Sequence, residues 1–138
     1  MCRSLMRIDG DDDCWFTLEP IETDPMGRRD VRAVVSFAGR GFAASNSSVW
    51  FDGDSITSFL AGLRQLDAKR EGNATLETMS PNECVLKFRN SDGLGHLSLD
   101  VSITAGIGTQ RSTCNLSFTL DPTSFPAIVK QMEAALVV

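Results

Sequence analysis

His96, Ser98 and Asp100 stand at alternate positions and supply the residue types of an acyl-transfer triad, in which an imidazole takes the hydroxyl proton and a carboxylate orients the imidazole. Apolar and polar residues alternate around them, the period of a strand, so all three side chains would leave one face of one strand. Same-face neighbours on a strand are about 6.5 to 7 Å apart, whereas a nucleophile and its base need about 2.6 to 3.2 Å. His96 is the only histidine, so no second imidazole can complete a dyad. The run reads as polar surface rather than as a catalytic centre.

Three other patterns start a site and do not finish it. Asp9, Asp11 and Asp13 occupy relative positions 1, 3 and 5 of a calcium loop, but Cys14 stands where the loop needs glycine and Pro20 where it needs a bidentate glutamate. A solvated acidic turn between two short strands is expected instead. Gly39-Arg40-Gly41-Phe42-Ala43-Ala44 matches a dinucleotide fingerprint letter for letter, yet the residues after it alternate as a strand where a helix should begin. Cys2, Cys14, Cys84 and Cys114 form no Cys-x-x-Cys pair and are too scattered for a zinc site, so they read as reduced thiols, with Cys84 and Cys114 in the core. No metal or cofactor is expected. An enzyme working with carboxylates alone would have to draw on Glu77, Glu83 and Asp100, whose spacing does not recommend them.

Apolar residues recur at every second position from Cys14 to Leu18 and from Val31 to Phe37, with Pro20, Pro25 and Gly27 marking a loop between them. Gly39-Arg40-Gly41 then turns the chain into a returning strand through Phe51, which makes a hairpin. Ile56, Phe59, Leu60, Leu63 and Leu66 fit one buried stripe of a helix, capped by Asp52, Asp54 or Ser55 and ended by Lys69, Arg70 and Gly72. The two-residue period resumes over about 73 to 79, 83 to 90, 95 to 104 and 112 to 120. Turn residues at Ser80-Pro81-Asn82, Asn90-Ser91-Asp92-Gly93 and Ala105-Gly106-Ile107-Gly108 connect these segments as a meander. Asp121-Pro122 opens a last helix carrying Phe125, Ile128, Val129, Met132 and Leu136, with Pro126 in its first turn. The expected class is α+β: an antiparallel sheet of about six to eight strands, packed on one face by two helices, in a single domain over residues 1–138.

Composition narrows the function further. The chain carries a net charge of −5, and eight acids against four arginines place −4 of it in residues 1 to 30. An acidic chain with a pI near 4.7 lacks the footprint of a nucleic-acid binder and could be steered toward a basic partner. No stretch approaches the ~20 apolar residues of a membrane span. The first residues lack the apolar core of a secretory signal, so a cytoplasmic location is expected.

Two surfaces remain as candidates for binding a protein. One is the acidic segment Asp11, Asp12 and Asp13 with Trp15, an aromatic of the kind enriched in binding hot spots. The other is the polar face of the meander around His96, Ser98 and Asp100, with Thr75, Lys87, Arg89, Ser102, Thr113, Asn115, Ser117 and Thr119.

Asp13-Cys14-Trp15 opening a strand, the helix from Ile56 to Leu66, Gly95-His96-Leu97 opening a strand, and Phe118-Thr119-Leu120-Asp121 running into the last helix resemble the immunity proteins of the wall-associated-protein (WapI) toxin family and the uncharacterised domains grouped with them. The resemblance spans nearly the whole chain. It implies a protein without catalytic activity that neutralises a nuclease toxin by stoichiometric occlusion, and no binding residues carry over from it. A small-ligand or accessory binding module is the alternative, and it would show a deep apolar pocket with a few convergent polar groups.

Overall fold

The computed structural model describes residues 5–24, 27, 29–91 and 96–137. Cys2, Pro25, and residues 92–95 of the expected turn before His96 lie outside the described residues. The chain runs through β1 (Met6–Asp9), a 3-10 turn at Asp11–Asp13, β2 (Trp15–Thr23), β3 (Val31–Gly39), β4 (Phe42–Phe51) and α1 (Gly53–Lys69). It continues through β5 (Asn73–Glu77), β6 (Cys84–Asn90), β7 (Leu97–Ile107), β8 (Gln110–Leu120) and, after a short turn, α2 (Phe125–Leu136).

The antiparallel α+β class, the two helices and the C-terminal meander are as expected, with eight strands among the described residues, the upper end of the anticipated number. The eight strands divide into two four-stranded sheets, ordered β1-β2-β3-β4 and β5-β6-β7-β8, rather than forming one. The 17-residue helix α1 joins them, and it carries the chain off the β4 edge before β5 begins. Alternation then does the rest. Phe16, Leu18, Val31, Ala33, Val35 and Phe37 of the N-terminal sheet and Leu86, Phe88, Leu99, Val101 and Phe118 of the C-terminal sheet enter one buried cluster. Phe88 lies between Phe59 of α1 and Phe125 of α2, with ring centroids 5.9 Å apart on both sides.

Helix ends are fixed by named groups. The Asp52 carboxylate accepts from the Ser55 N–H at 3.0 Å and the Ser55 hydroxyl at 2.6 Å, and these bonds hold it below the usual carboxylate range. Buried Asp30 accepts from the Gly53 N–H at 2.8 Å, so a second carboxylate serves the same helix start. Arg70 ends α1 in the left-handed region at φ 58°, and its guanidinium reaches the Pro122 carbonyl at 3.1 Å, which ties the end of α1 to the approach of α2. Pro126 lies in the first turn of α2, as expected.

The acidic turn lies between two strands as expected, with β1 before it pairing with β2. Two local expectations are corrected. The β2 strand runs on through Pro20, which was expected in a loop; Pro20 lies beyond the last β1–β2 pair and beside a bulge, where a missing N–H costs no ladder bond. The turn expected at Ala105 to Gly108 is displaced to Gly108-Thr109, and the β7–β8 ladder continues to Ile107 and Gln110.

The sheets cross near β4. Asn46 Nδ2 donates to the Thr104 carbonyl at 2.9 Å, and the Met79 N–H donates to the Trp50 carbonyl at 2.8 Å. At the other end of β4, the turn residue Arg40 donates to the Ser117 carbonyl of β8.

Candidate protein-binding surface

On β8 the inward residues are Leu116, Phe118 and Leu120, so Asn115, Ser117 and Thr119 point outward. Strand pairing continues this outer face across the sheet. One row holds Lys87, Asp100 and Ser117, and the next holds Arg89, Ser98 and Thr119. Arg89 grips Asp100 with two bonds, at 2.8 and 3.3 Å. Partial burial pushes the Asp100 carboxyl up, but bonds from Arg89 and Ser117 and the nearby Arg89 and Lys87 charges outweigh it and hold the group below its ordinary value.

The acidic turn closes onto the edge of this face. Asp11 Oδ1 accepts from the Thr119 N–H at 2.7 Å while its other oxygen takes Arg40 at 3.0 Å, and Asp12 lies 3.3 Å from the same guanidinium. Asp11 and Arg40 thus occupy outward backbone groups of β8 at Thr119 and Ser117, in place of a neighbouring strand. The close approach requires Gly10, because a Cβ there would stand 2.0 Å from the Phe118 ring. It also requires Gly39, where a Cβ would stand 2.4 Å from Cys14 Sγ. Asp12 and Asp13 take left-handed backbone at φ 53° and 57°, a conformation that aspartate tolerates better than most residues. Three carboxylates against one guanidinium leave this corner at −2.

The two candidate patches therefore meet, though not through all of the residues named for them. Asp11, Asp12 and Asp13 extend the outer face that carries Ser98 and Asp100. Trp15 does not join them. It is half-buried on the outer side of the N-terminal sheet, with the Arg7 guanidinium 5.0 Å from its ring centroid. Ser98, expected to face solvent, is only 6% exposed, because it is a small side chain in mid-sheet between Arg89 and Thr119. His96 is exposed just before β7, and its carbonyl accepts from the Ser91 N–H at 2.8 Å.

The triad-like run makes no triad, since both Asp100 oxygens are engaged by Arg89. The glycine fingerprint is a type I′ hairpin turn, with positive φ at Arg40 (51°) and Gly41 (84°) and a strand after it. Asp9 is paired with Arg7 at 2.8 Å, and no group of three or more His, Cys, Asp or Glu among the described residues is placed to hold a metal ion. Sequence reasoning missed Arg40. A basic residue between two glycines, in a chain whose acids cluster upstream, was the available signal.

Beside α1, a cleft of about 370 Å³ is lined by Asp54, Ser55, Ser58, Thr75 and Glu77. It is open and lined by residues of polar type, unlike the deep apolar pocket that a small-ligand module would need.

No curated protein matches the chain. The model of the immunity protein WapI-like family matches residues 7–137. With the match extending from β1 to the end of α2, the chain belongs to the immunity protein WapI-like family.

Proposed function

We propose that this chain is a binding protein without catalytic activity, which neutralises a basic nuclease toxin in the cytoplasm of the producing cell by stoichiometric occlusion. Family membership supports a protein partner, a toxin. The observation that carries the reading is the acidic corner, where Asp11 and Asp12 are fixed by the Thr119 and Arg40 bonds, with Asp13 next to them in the same turn, rather than left on a loose tail. A preorganised −2 corner on a −5 chain attracts a basic surface at long range and loses little conformational freedom on contact.

The test is to mix the chain with the toxin domain encoded by the adjacent gene and follow association and nuclease activity together. A one-to-one complex, activity falling in proportion to complex formed, and association slowing from about 50 mM to about 500 mM salt are expected. Salt-indifferent association would remove the charge-steering element. Inhibition complete at far less than one equivalent would remove occlusion altogether.

A further inference from the structure

We propose that the free edge of β4 receives an extended segment of the protein partner as a fifth strand of the N-terminal sheet, laid over the inner side of the projecting β7–β8 hairpin. The identity of the partner rests on the function proposed above; the strand site rests on geometry.

The Arg40-Gly41 turn makes Gly39 and Phe42 the first bonded pair of the β3–β4 ladder, so Phe37 and Ala44 form the next. The N–H and C=O groups of Ala43 and Ser45 then point away from β3. Beyond the irregularity between Ala33 and Val35 the alternation shifts by one residue, and the Trp50 carbonyl faces outward, where the Met79 N–H meets it. No hydrogen bond within the described chain meets the outward groups of Ala43 or Ser45. Ser48 closes the available stretch, because its N–H is taken by Asn46 Oδ1 at 3.1 Å.

What lies below that edge is core-facing sheet without a cover. The β7 residues Val101 and Ile103 are buried, and the next two on the same side, Ala105 and Ile107, are exposed, Ile107 by 90%. Between the Asn46–Thr104 bond and Ile107 the hairpin advances three residues. At ~3.3 Å per residue that is ~10 Å, or about two strand spacings of ~4.8 Å. One added strand therefore fits over it. Phe42, 59% exposed on the inner side of β4, contributes to the same apolar shelf. The hairpin is paired to its tip, and Gly106 leaves no room for a Cβ, which would stand 2.1 Å from the Gln110 carbonyl.

Charge and shape select the occupant. Phe42 to Phe51 carries no charged residue, and Val101 to Leu120 carries only Arg111. An uncharged segment of about five residues with alternating apolar side chains matches both the backbone and the shelf. A second copy pairing its own β4 here would bring its own hairpin into the same space, so self-association through this edge is disfavoured. Nor does β4 carry the lysine or proline that natural edges use to repel a strand.

The test uses Ser45→Pro, which removes an outward N–H, and Ile107→Lys, which alters a side chain with almost no packing to lose. Gln131→Lys, at an exposed position of α2, is the control, and each melting temperature is compared with wild type. Against the toxin domain of the adjacent gene, Ser45→Pro and Ile107→Lys are expected to weaken binding about tenfold or more, with Gln131→Lys close to wild type. Wild-type affinity in Ile107→Lys and in folded Ser45→Pro overturns the strand site while leaving occlusion standing, and so does an equal loss in Gln131→Lys. If wild type does not bind that domain, the functional reading falls. The strand site is then decided by titrating a capped Thr-Val-Thr-Val-Thr peptide: amide shifts confined to Ala43 to Ser47 and Ile107 support it, and their absence overturns it.

Discussion

Replacing Asp11 by alanine removes two interactions that lock the acidic turn to β8, and their worth can be worked from the geometry. The Thr119 N–H to Asp11 bond is short at 2.7 Å and charge-assisted, a class worth about 1.5 to 3 kcal/mol when shielded. The Asp11 side chain is 42% exposed, so water can replace part of that bond, and about 1 kcal/mol is the discounted value. The Arg40 pair at 3.0 Å, with both side chains more than a third exposed, adds about 0.2 to 0.5 kcal/mol. The total, about 1 to 1.5 kcal/mol, lowers the melting temperature of a domain this size by roughly 3 to 6 °C. Asp12→Asn is the matched control. It keeps a residue type that tolerates φ 53° and loses only a 3.3 Å contact from a side chain 69% exposed, so its shift should stay below about 2 °C. Thermal unfolding supplies the magnitudes, and amide exchange at Thr119 supplies the location, with faster exchange in Asp11→Ala alone. Equal shifts in the two variants, or unchanged Thr119 exchange in Asp11→Ala, would refute the clasp.

Phe88→Ala empties the space between Phe59 and Phe125 and should cost about 3 to 5 kcal/mol in urea unfolding, the range of a fully buried aromatic. Asp100 is held below its ordinary value in the folded chain, so its share of stability is present above the unfolded value near ~3.9 and is lost as pH falls through the lower folded value. Arg89→Ala should therefore be about 0.5 to 1 kcal/mol less stable than wild type at neutral pH, a gap that closes in strong acid and is read by chemical unfolding at each pH. Burial pushes the Cys84 thiol up to about 12, whereas Cys114 is only partly buried, so iodoacetamide at about pH 8 should label Cys114 in the folded chain and Cys84 only after unfolding, as located by peptide mass spectrometry.

Much of the fold was legible because alternation and helical spacing report which side of an element is buried. Leu97, Leu99, Val101 and Ile103, and Ile56, Phe59, Leu60 and Leu63, all entered the core as their spacing required. Spacing does not report what covers a buried face, so the separation into two sheets was invisible. It also misjudged β7, where Gly106 looked like a turn residue but stands in a strand at φ +122°. The surface was legible as composition and not as assembly. Asp11 to Asp13 and the row through Asp100 were both named, yet their union depends on the bond from the Thr119 N–H to Asp11, on one side chain from the β3–β4 turn, Arg40, and on the glycines that let the backbones close in. Trp15 was misleading because its neighbours in sequence go to one surface and its strand to another.

The Asp11–Thr119 bond spans 108 positions of sequence. While the chain is being synthesised, the acidic turn emerges early, can meet Arg40 once β3 and β4 exist, and must wait for the penultimate major element before the Thr119 bond can fix it on the sheet. Such a long-range closure is slow by the general dependence of folding rate on contact separation, and it falls near the end of the route. A nascent or truncated chain lacking β8 would carry the acids without their arrangement. Completion of the last strand and readiness of the acidic corner would then be one event, so that incomplete copies present no assembled charge to compete for a partner.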